Sequence, residues 1–344
     1  MKIGLTYDLR KEYLEMGFTE EETAEFDSEE TIRALEETLS SLDHEAVRVG
    51  NIFELSRRLS AGERWDLVFN ISEGCHGRNR EAQVPALLEA YQIPYTFSDP
   101  LTLAVCMDKA VAKSVVRDAG IPTPESLTVD SMQNLEKSAI SLGTSFPLFT
   151  KPVSEGTGKG ITAESIVWDM DALKRQCSAL LIRYHQPVLV ETYLPGREFT
   201  IGIVGTENQA RVIGVLEVKL NQNAEPLVYT FANKEFCEER VEYLLVKDKA
   251  IIQEASDVAI RAYRALGCRD AGRLDLKADK NGKLYFLEMN PLAGLNPTHS
   301  DLPILCSKAG IGYRQLISDI IRSARERKAK DRVFKHDSRT STLN

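Results

Sequence analysis

Apolar and polar positions switch between strand-like and helix-like periods several times along the 344 residues of this chain. KIGLTY reads as a strand. DSEETIRALEETLSSLD reads as an amphipathic helix, with Ile32, Leu35, Leu39 and Leu42 on one face and Ser28 or Asp27 as its cap. EAVRVG predicts a second strand, IFELSRRLS a helix, WDLVFNI a buried strand, REAQVPALLEAYQ a helix kinked at its proline, and IPYTFS a short strand. Strands alternating with helices predict a parallel α/β sheet, and this N-terminal domain covers residues 1–98.

Residues 99–186 predict a small central α/β module. It holds a helix in DKAVAKSVVRDAG stopped at Gly120, a strand over Glu125 to Val129, a helix near Met132 to Leu142, the strand FPLFTKP, and a helix from Met170 to Arg183. From QPVLVETYL onward the pattern is strand-rich: REFTIGIVG, ARVIGVLEV, AGRLDLKAD and KLYFLEMN surround one long helix near Lys249 to Leu266. That third unit covers 187–328 and ends in the helix YRQLISDIIRSARER. Polar residues 329–344 are expected to form a flexible tail.

The most informative chemistry lies in RLDLKADKNGKLYFLEMN, where an Asn-Gly pair flanked by alternating residues signals a hairpin. With Asn281-Gly282 as a two-residue loop, Lys280 pairs with Lys283, Asp275 stands opposite Glu288, and Arg273 opposite Asn290. These four then share one face, while Leu274, Leu276, Leu287 and Met289 share the other and suit a core. Two facing carboxylates repel unless positive charge lies between them. Oxygen donors on Asp275, Glu288 and Asn290 suit Mg²⁺ (or Mn²⁺) carrying nucleotide phosphates, and without His or Cys beside them they do not suit zinc. The bland alternative is a polar face with lysine counterions.

TKPVSEGTGKGIT matches neither the Walker-type phosphate loop nor GxGxxG, so on its own it is a flexible turn or a phosphate cover. In the second case backbone N–H groups and the Thr157 hydroxyl close over phosphates, and Lys151 adds a point charge. VLVETYLPGREFT offers Glu191 and Glu198 to an adenine amino group or ribose hydroxyls, with backbone beside Tyr193 and Leu194 at the ring edge. MDKAVAK places Lys109 in a helix's first turn. Each piece alone also fits an ordinary solvated charge.

Composition narrows the field. A net charge of −8 argues against a general nucleic-acid binder. No apolar stretch reaches membrane-spanning length and no signal-peptide core is visible, so a cytoplasmic protein without membrane contact is expected. Cys75, Cys106, Cys177, Cys237, Cys268 and Cys306 form no CxxC pair and read as reduced thiols.

From about Asn70 to Ser318 the sequence resembles the ATP-grasp superfamily, and within it the D-alanine–D-alanine ligase branch. The likeness runs through HGRNREAQVPALLEAYQIPYTFSDPLTLAVCMDKAVAKSVVRDAGIPTPES, FPLFTKPVSEGTGKGI, VLVETYLPGREFTIGI, AGRLDLKAD and LEMNPLAGLNPTHSDLP, in that order. The resemblance implies a three-domain ATP-grasp architecture: an N-terminal parallel α/β domain, a small central lid, and a C-terminal mixed-sheet domain. It assigns Lys109 and Lys151 to ATP phosphates, with Lys151 also on the adenine side. Glu191, Tyr193 and Leu194 become the adenine edge, Glu198 the ribose acceptor, and Asp275, Glu288 and Asn290 the Mg²⁺ ligands. Arg273 stabilises charge in transfer, Thr157 stands where the ligases usually have serine, and Gly294 and Ser300 cradle the second substrate and transferred phosphate. It also implies a homodimer through the N-terminal domain.

The implied reaction joins an amino-acid-like carboxylate to an amine through an acylphosphate. Departures cluster on the substrate side. GLTYDLRKEYLEMGFTEEETAEF lacks the family's glycine-rich start with its serine and glutamate, HGRNREAQ keeps His76 and Glu81 but loses the central glycine, and FANKEFCEERVEY offers Lys234 without the partner tyrosine. Asp301 is added beside Ser300. Glu73 and Glu81 are candidates for a substrate ammonium, whereas His76 and His299 read as structural and the acidic run from Glu20 to Glu30 as a solvated loop and helix start. The leading reading is therefore an ATP-dependent carboxylate–amine ligase. D-alanine–D-alanine ligase itself and a non-catalytic nucleotide-binding regulator are the alternatives.

Overall fold

The computed structural model describes residues 1–135, 146–225, 230, 232–233 and 236–340. Lys234 and most of the helix expected near Met132 to Leu142 lie outside them. In the N-terminal unit β1 (Lys2–Thr6) lies between β2 (Glu45–Gly50) and β3 (Leu67–Asn70), all parallel. Ser28, rather than Asp27, caps the helix Glu29–Ser41, its hydroxyl accepting from Thr31 N at 3.3 Å. Ile32, Leu35 and Leu39 on that helix are fully buried. Two expectations change. Pro85 falls in the first turn of the helix Gln83–Ala90, where its missing N–H breaks nothing, after a separate 3₁₀ turn Arg80–Ala82. IPYTFS forms only a bridge, Val68 to Tyr95, because Pro94 lacks a donor and the Phe97 N–H is drawn to Asp270.

The central sheet runs β4 (Ser126–Val129), β7 (Val188–Thr192), β5 (Leu148–Pro152), β6 (Ile166–Val167), with antiparallel neighbours. Leu173, Cys177 and Leu180 of the helix Met170–Tyr184 cover it. β7 lies inside this sheet, so the central unit continues past residue 186. The helices Pro100–Met107 and Lys109–Asp118 pack elsewhere. Leu103 joins the N-terminal core, whereas Ala112 and Val116, four apart on one face, share a core with Ile201 and Phe286 of the third unit.

The C-terminal sheet runs β10 (Val241–Leu245), β9 (Arg211–Leu220), β8 (Glu198–Val204), β11 (Ala271–Ala278), β12 (Leu284–Asn290). Its pairings are antiparallel, so the mixture of parallel and antiparallel strands lies between sheets rather than within this one. β10 and the helix Asp301–Lys308 arise from short apolar runs whose period favours neither state. The helix Lys249–Ala265 covers the sheet with Ala255, Val258, Ala262 and Tyr263. The last helix, Tyr313–Thr340, runs through the segment expected to be a tail. Its Leu316, Ile317, Ile320 and Ile321 join Ile3 and Leu5, so the first strand and last helix share one core.

Asp270 ties these units together. Fully buried and held at φ +64°, it accepts from Phe97 N (2.8 Å), Arg327 Nη2 (2.7 Å), Ser323 Oγ (2.9 Å) and Thr206 Oγ1 (3.1 Å). Removing one partner of such a buried pair strands the other charge. Asp270→Ala should therefore cost about 3–5 kcal/mol in urea unfolding. A loss under about 1 kcal/mol, the size of a surface pair, would show that Asp270 does not hold the units together.

Candidate active site

The β11–β12 register places Asp275 opposite Glu288 and Arg273 opposite Asn290. Two compensating irregularities produce it. The tip is a three-residue loop, with Asp279 N bonded to Lys283 O at 2.9 Å and the Asp279 carboxylate accepting from Asn281 N and Lys283 N. That side chain enforces a longer turn than Asn-Gly alone predicts. Below it, Leu276 pairs with Phe286, a shift of one residue that a bulge beside Asp275 reverses. Phe286 and Met289 consequently fill the core, and Leu287, expected inside, is only half-buried.

Each of the two carboxylates has a cation of the protein beside it. Arg273 Nη1 donates to both Asp275 oxygens, at 2.7 and 2.5 Å, and lies 3.3 Å from Asp301. Thr200 adds a short hydroxyl bond to Asp275. Lys109 Nζ stands 3.5 Å from Glu288 and donates to Glu155 O at 2.5 Å, linking the hairpin to the glycine loop.

Lys109, Thr157, Arg273, Glu288, Asn290, Gly294 and Ser300 line one cavity of about 510 Å³. Two buried polar atoms on this wall, Thr157 Oγ1 and Asn290 Nδ2, have no hydrogen-bond partner among the described residues. Thr157 also sits at φ +49°, unfavourable for a β-branched residue. Orphaned donors and a strained hydroxyl suit a surface completed by phosphate oxygens. Ser300 Oγ accepts from Asn296 N at 3.0 Å, and a Cβ on Gly294 would come within 2.7 Å of that oxygen, so the close turn requires glycine.

The adenine-side candidates do not line this cavity. Glu191 lies between Lys113 Nζ (2.8 Å) and Lys151 Nζ (2.9 Å), all three buried. Burial would raise the Glu191 carboxyl, but Lys113 and Lys151 outweigh it and hold it at about 2. Burial takes the Lys113 ammonium down to about 8 despite Glu191, whereas at Lys151 burial is outweighed by Glu191 and Glu288 and the group rises. Glu198 pairs with Lys277 at 2.6 Å, Leu194 is buried, and Tyr193 N bonds Pro147 O at 3.3 Å.

A family model described as D-ala D-ala ligase C-terminus matches residues 115–322. The chain belongs to the D-alanine–D-alanine ligase family. It is 31% identical over 268 residues to the protein y4sG of Sinorhizobium fredii, covering 76% of this chain and 75% of that one. It is 31% identical over 291 residues to the D-alanine–D-alanine ligase of Aquifex aeolicus, covering 85% and 93%. The crystal structure of D-alanine–D-alanine ligase from Bacillus anthracis complexed with ATP superposes with a TM-score of 0.71 at 23% identity, over 96% of this chain and 99% of that one, a likeness of fold. The architecture is thus ATP-grasp, and the family is one of ATP-dependent ligases forming carbon–nitrogen bonds. Among the described residues no helix is long and apolar enough to cross a membrane.

Sequence reasoning missed two features of this family member. Lys113, four residues after Lys109, was visible only as a second lysine on one helix face; its partners Glu191, Thr123 Oγ1 (3.1 Å) and Phe286 O (3.4 Å) come from distant segments. The acidic run reads as solvated in the sequence, yet Glu25 is enclosed between Arg80 (2.8 Å) and Lys159 (2.9 Å). A Cβ on Gly156 would collide with the Glu25 carboxylate. His76 is exposed, its carbonyl accepting from Gln83, and His299 N donates to Asn296 Oδ1 at 3.0 Å.

Lys113→Met should destabilise the fold by about 3–5 kcal/mol in urea. Glu191's stabilisation is complete above its ordinary value of 4.5 and is lost as pH falls through about 2; without Lys113 that loss should finish at a higher pH. An unchanged acid limb would remove the triad's role. Thr157→Gly should gain about 1 kcal/mol of stability while raising the KM for ATP, and a lowered stability would show that the left-handed backbone is not strained.

Proposed function

We propose that this ATP-grasp ligase joins an amino-acid-like carboxylate to an amine through an acylphosphate. The observation that carries the reading is the single cavity wall on which Lys109, Thr157, Arg273, Glu288 and Asn290 converge, with two buried donors lacking partners. A wall of this kind matches the oxygens of a phosphoryl group in transfer better than any neutral ligand.

The donor set also fits a hard divalent cation: Glu288 and Asn290 face the cavity, Asp275 stands beside Glu288 on the neighbouring strand, and the orphaned Asn290 amide can turn its oxygen to a metal and its NH₂ to a phosphate. Asp275, Glu288 and Asn290 would hold Mg²⁺ (or Mn²⁺), which when bound neutralises phosphate charge. In the first step a substrate carboxylate oxygen bonds to the γ-phosphorus as the bond to ADP breaks. Lys109 and Arg273 offset the charge that develops, and the Thr157 hydroxyl orients the phosphate. In the second step the amine nitrogen bonds to the acyl carbon and phosphate leaves, the amine proton passing to solvent or to the departing phosphate. Gly294 and Ser300 border the space where that exchange occurs, and the glycine loop over Thr157 excludes water from the acylphosphate. Lys151, Glu191, Tyr193, Leu194 and Glu198 are proposed to border the nucleotide's adenosine half.

A second reading, D-alanine–D-alanine ligase itself, is favoured by the named activity of the Aquifex aeolicus relative. Against it stands the changed N-terminal wall, where Glu25 is committed to Arg80 and Lys159.

ADP should form only with Mg²⁺, ATP and an added amino acid together. Glu288→Gln should lower kcat by about 10²–10³ with little change in thermal stability. Unaltered turnover in that variant would remove the metal assignment. Nucleotide binding with no amino-acid-stimulated ADP formation across a broad screen would replace the ligase reading with that of a nucleotide-binding regulator.

A further inference from the structure

The same cavity has a second wall, contributed by Glu25, Asp27, Glu73 and Glu81. Glu25 is neutralised by Arg80 and Lys159. Nearby Asp8 is satisfied by Tyr13 Oη at 2.5 Å and Gly74 N at 2.9 Å. Arg10, which also borders the cavity, is paired with Glu20 at 2.6 Å. No hydrogen bond or ion pair reaches the carboxyl groups of Asp27, Glu73 or Glu81 among the described residues.

That distribution is costly. Burial, followed by repulsion from Asp8, pushes Asp27 up to about 8. Burial is again the first cause at Glu81, which rises to about 7 despite Arg80, and at Glu73, which rises well above its ordinary value as repulsion from Glu81, Glu25 and Asp27 outweighs Arg80. Desolvated carboxyls without partners destabilise a fold unless a ligand completes them. Asp27, Glu73 and Glu81 belong to no cluster of three acidic, His or Cys side chains placed to hold a metal ion among the described residues. The complement is an extended organic cation whose charges are spread along the wall.

Resting on the ligase reading above, we infer that the carboxylate substrate is a basic amino acid, whose α-ammonium and side-chain cation are received by Glu73, Glu81 and Asp27 while its carboxylate reaches Arg273 and Lys109. A neutral amino acid brings one ammonium and leaves at least two of the three carboxyls unpaired. A lysine- or ornithine-like substrate brings a second cation on a flexible stem, and its methylene groups can pass Met107 and Leu292 on the cavity wall.

The test is ADP formation by the full chain with Mg²⁺ and ATP, comparing both enantiomers of lysine, ornithine and alanine. At least one basic amino acid should exceed alanine in kcat/KM by tenfold or more. Glu73→Gln and Glu81→Gln should each lower that substrate's kcat/KM by about 10–100-fold and narrow its advantage over alanine. Glu73→Gln removes like-charge repulsion from Glu81, Glu25 and Asp27 and should melt no lower than the parent, so misfolding would be visible separately. Alanine used as well as every basic amino acid would overturn the inference and leave the ligase reading standing. If no amino acid yields ADP, the ligase reading fails instead, and calorimetric titration of lysine into protein holding a non-hydrolysable ATP analogue decides the inference. Absence of lysine binding, or binding undiminished in both variants, overturns it; binding lost in the variants supports it.

Discussion

Two ammonium groups one helical turn apart organise this molecule. The helix Lys109–Asp118 packs on the C-terminal sheet, and its two lysines link that sheet to the central unit. Lys113 enters the central sheet at Glu191 and touches the Phe286 carbonyl of β12, while Lys109 joins Glu288 to the glycine loop. In a desolvated setting these attractions act with little screening, and they fix how the central unit faces the hairpin. The proposed phosphate wall exists only because residues from both units are brought to one cavity.

The N-terminal segment answers the same problem from the other side. Glu21 pairs with Arg183 and accepts from Tyr184 Oη at 2.5 Å, and Glu25 reaches Lys159 in the glycine loop. Acidic residues that look solvated in isolation thus fasten the first domain to the central one. Chain topology, rather than local composition, decides which carboxylates are surface charges and which are internal struts.

Local periodicity makes most of the fold legible: the parallel N-terminal strands, the capped helix at Ser28 and the long helix Lys249–Ala265 can each be read from nearby residues, whereas a two-residue loop gives the facing pair Asp275 and Glu288 only because a longer tip and a bulge cancel. What escaped was long-range. Glu191 sits in β7, and nothing near it in sequence announces that β7 inserts between β4 and β5 or that Lys113 lies against it. Motif order places Glu191 on the adenine side; that two lysines also hold its carboxylate is a long-range fact no nearby residue announces. The short strand β10 and helix Asp301–Lys308 were hidden because a few apolar residues suit either state.

The hairpin tip carries one consequence beyond its own geometry. Its longer turn and the irregularity beside Asp275 are two deviations of opposite sense, and only their sum leaves the acidic pair aligned. Regularising either one alone would slide β12 by a residue against β11 and turn Glu288 toward the hydrocarbon interior. Sequence drift at this exposed corner is therefore tied, as a matched pair of changes, to residues buried some distance away from it.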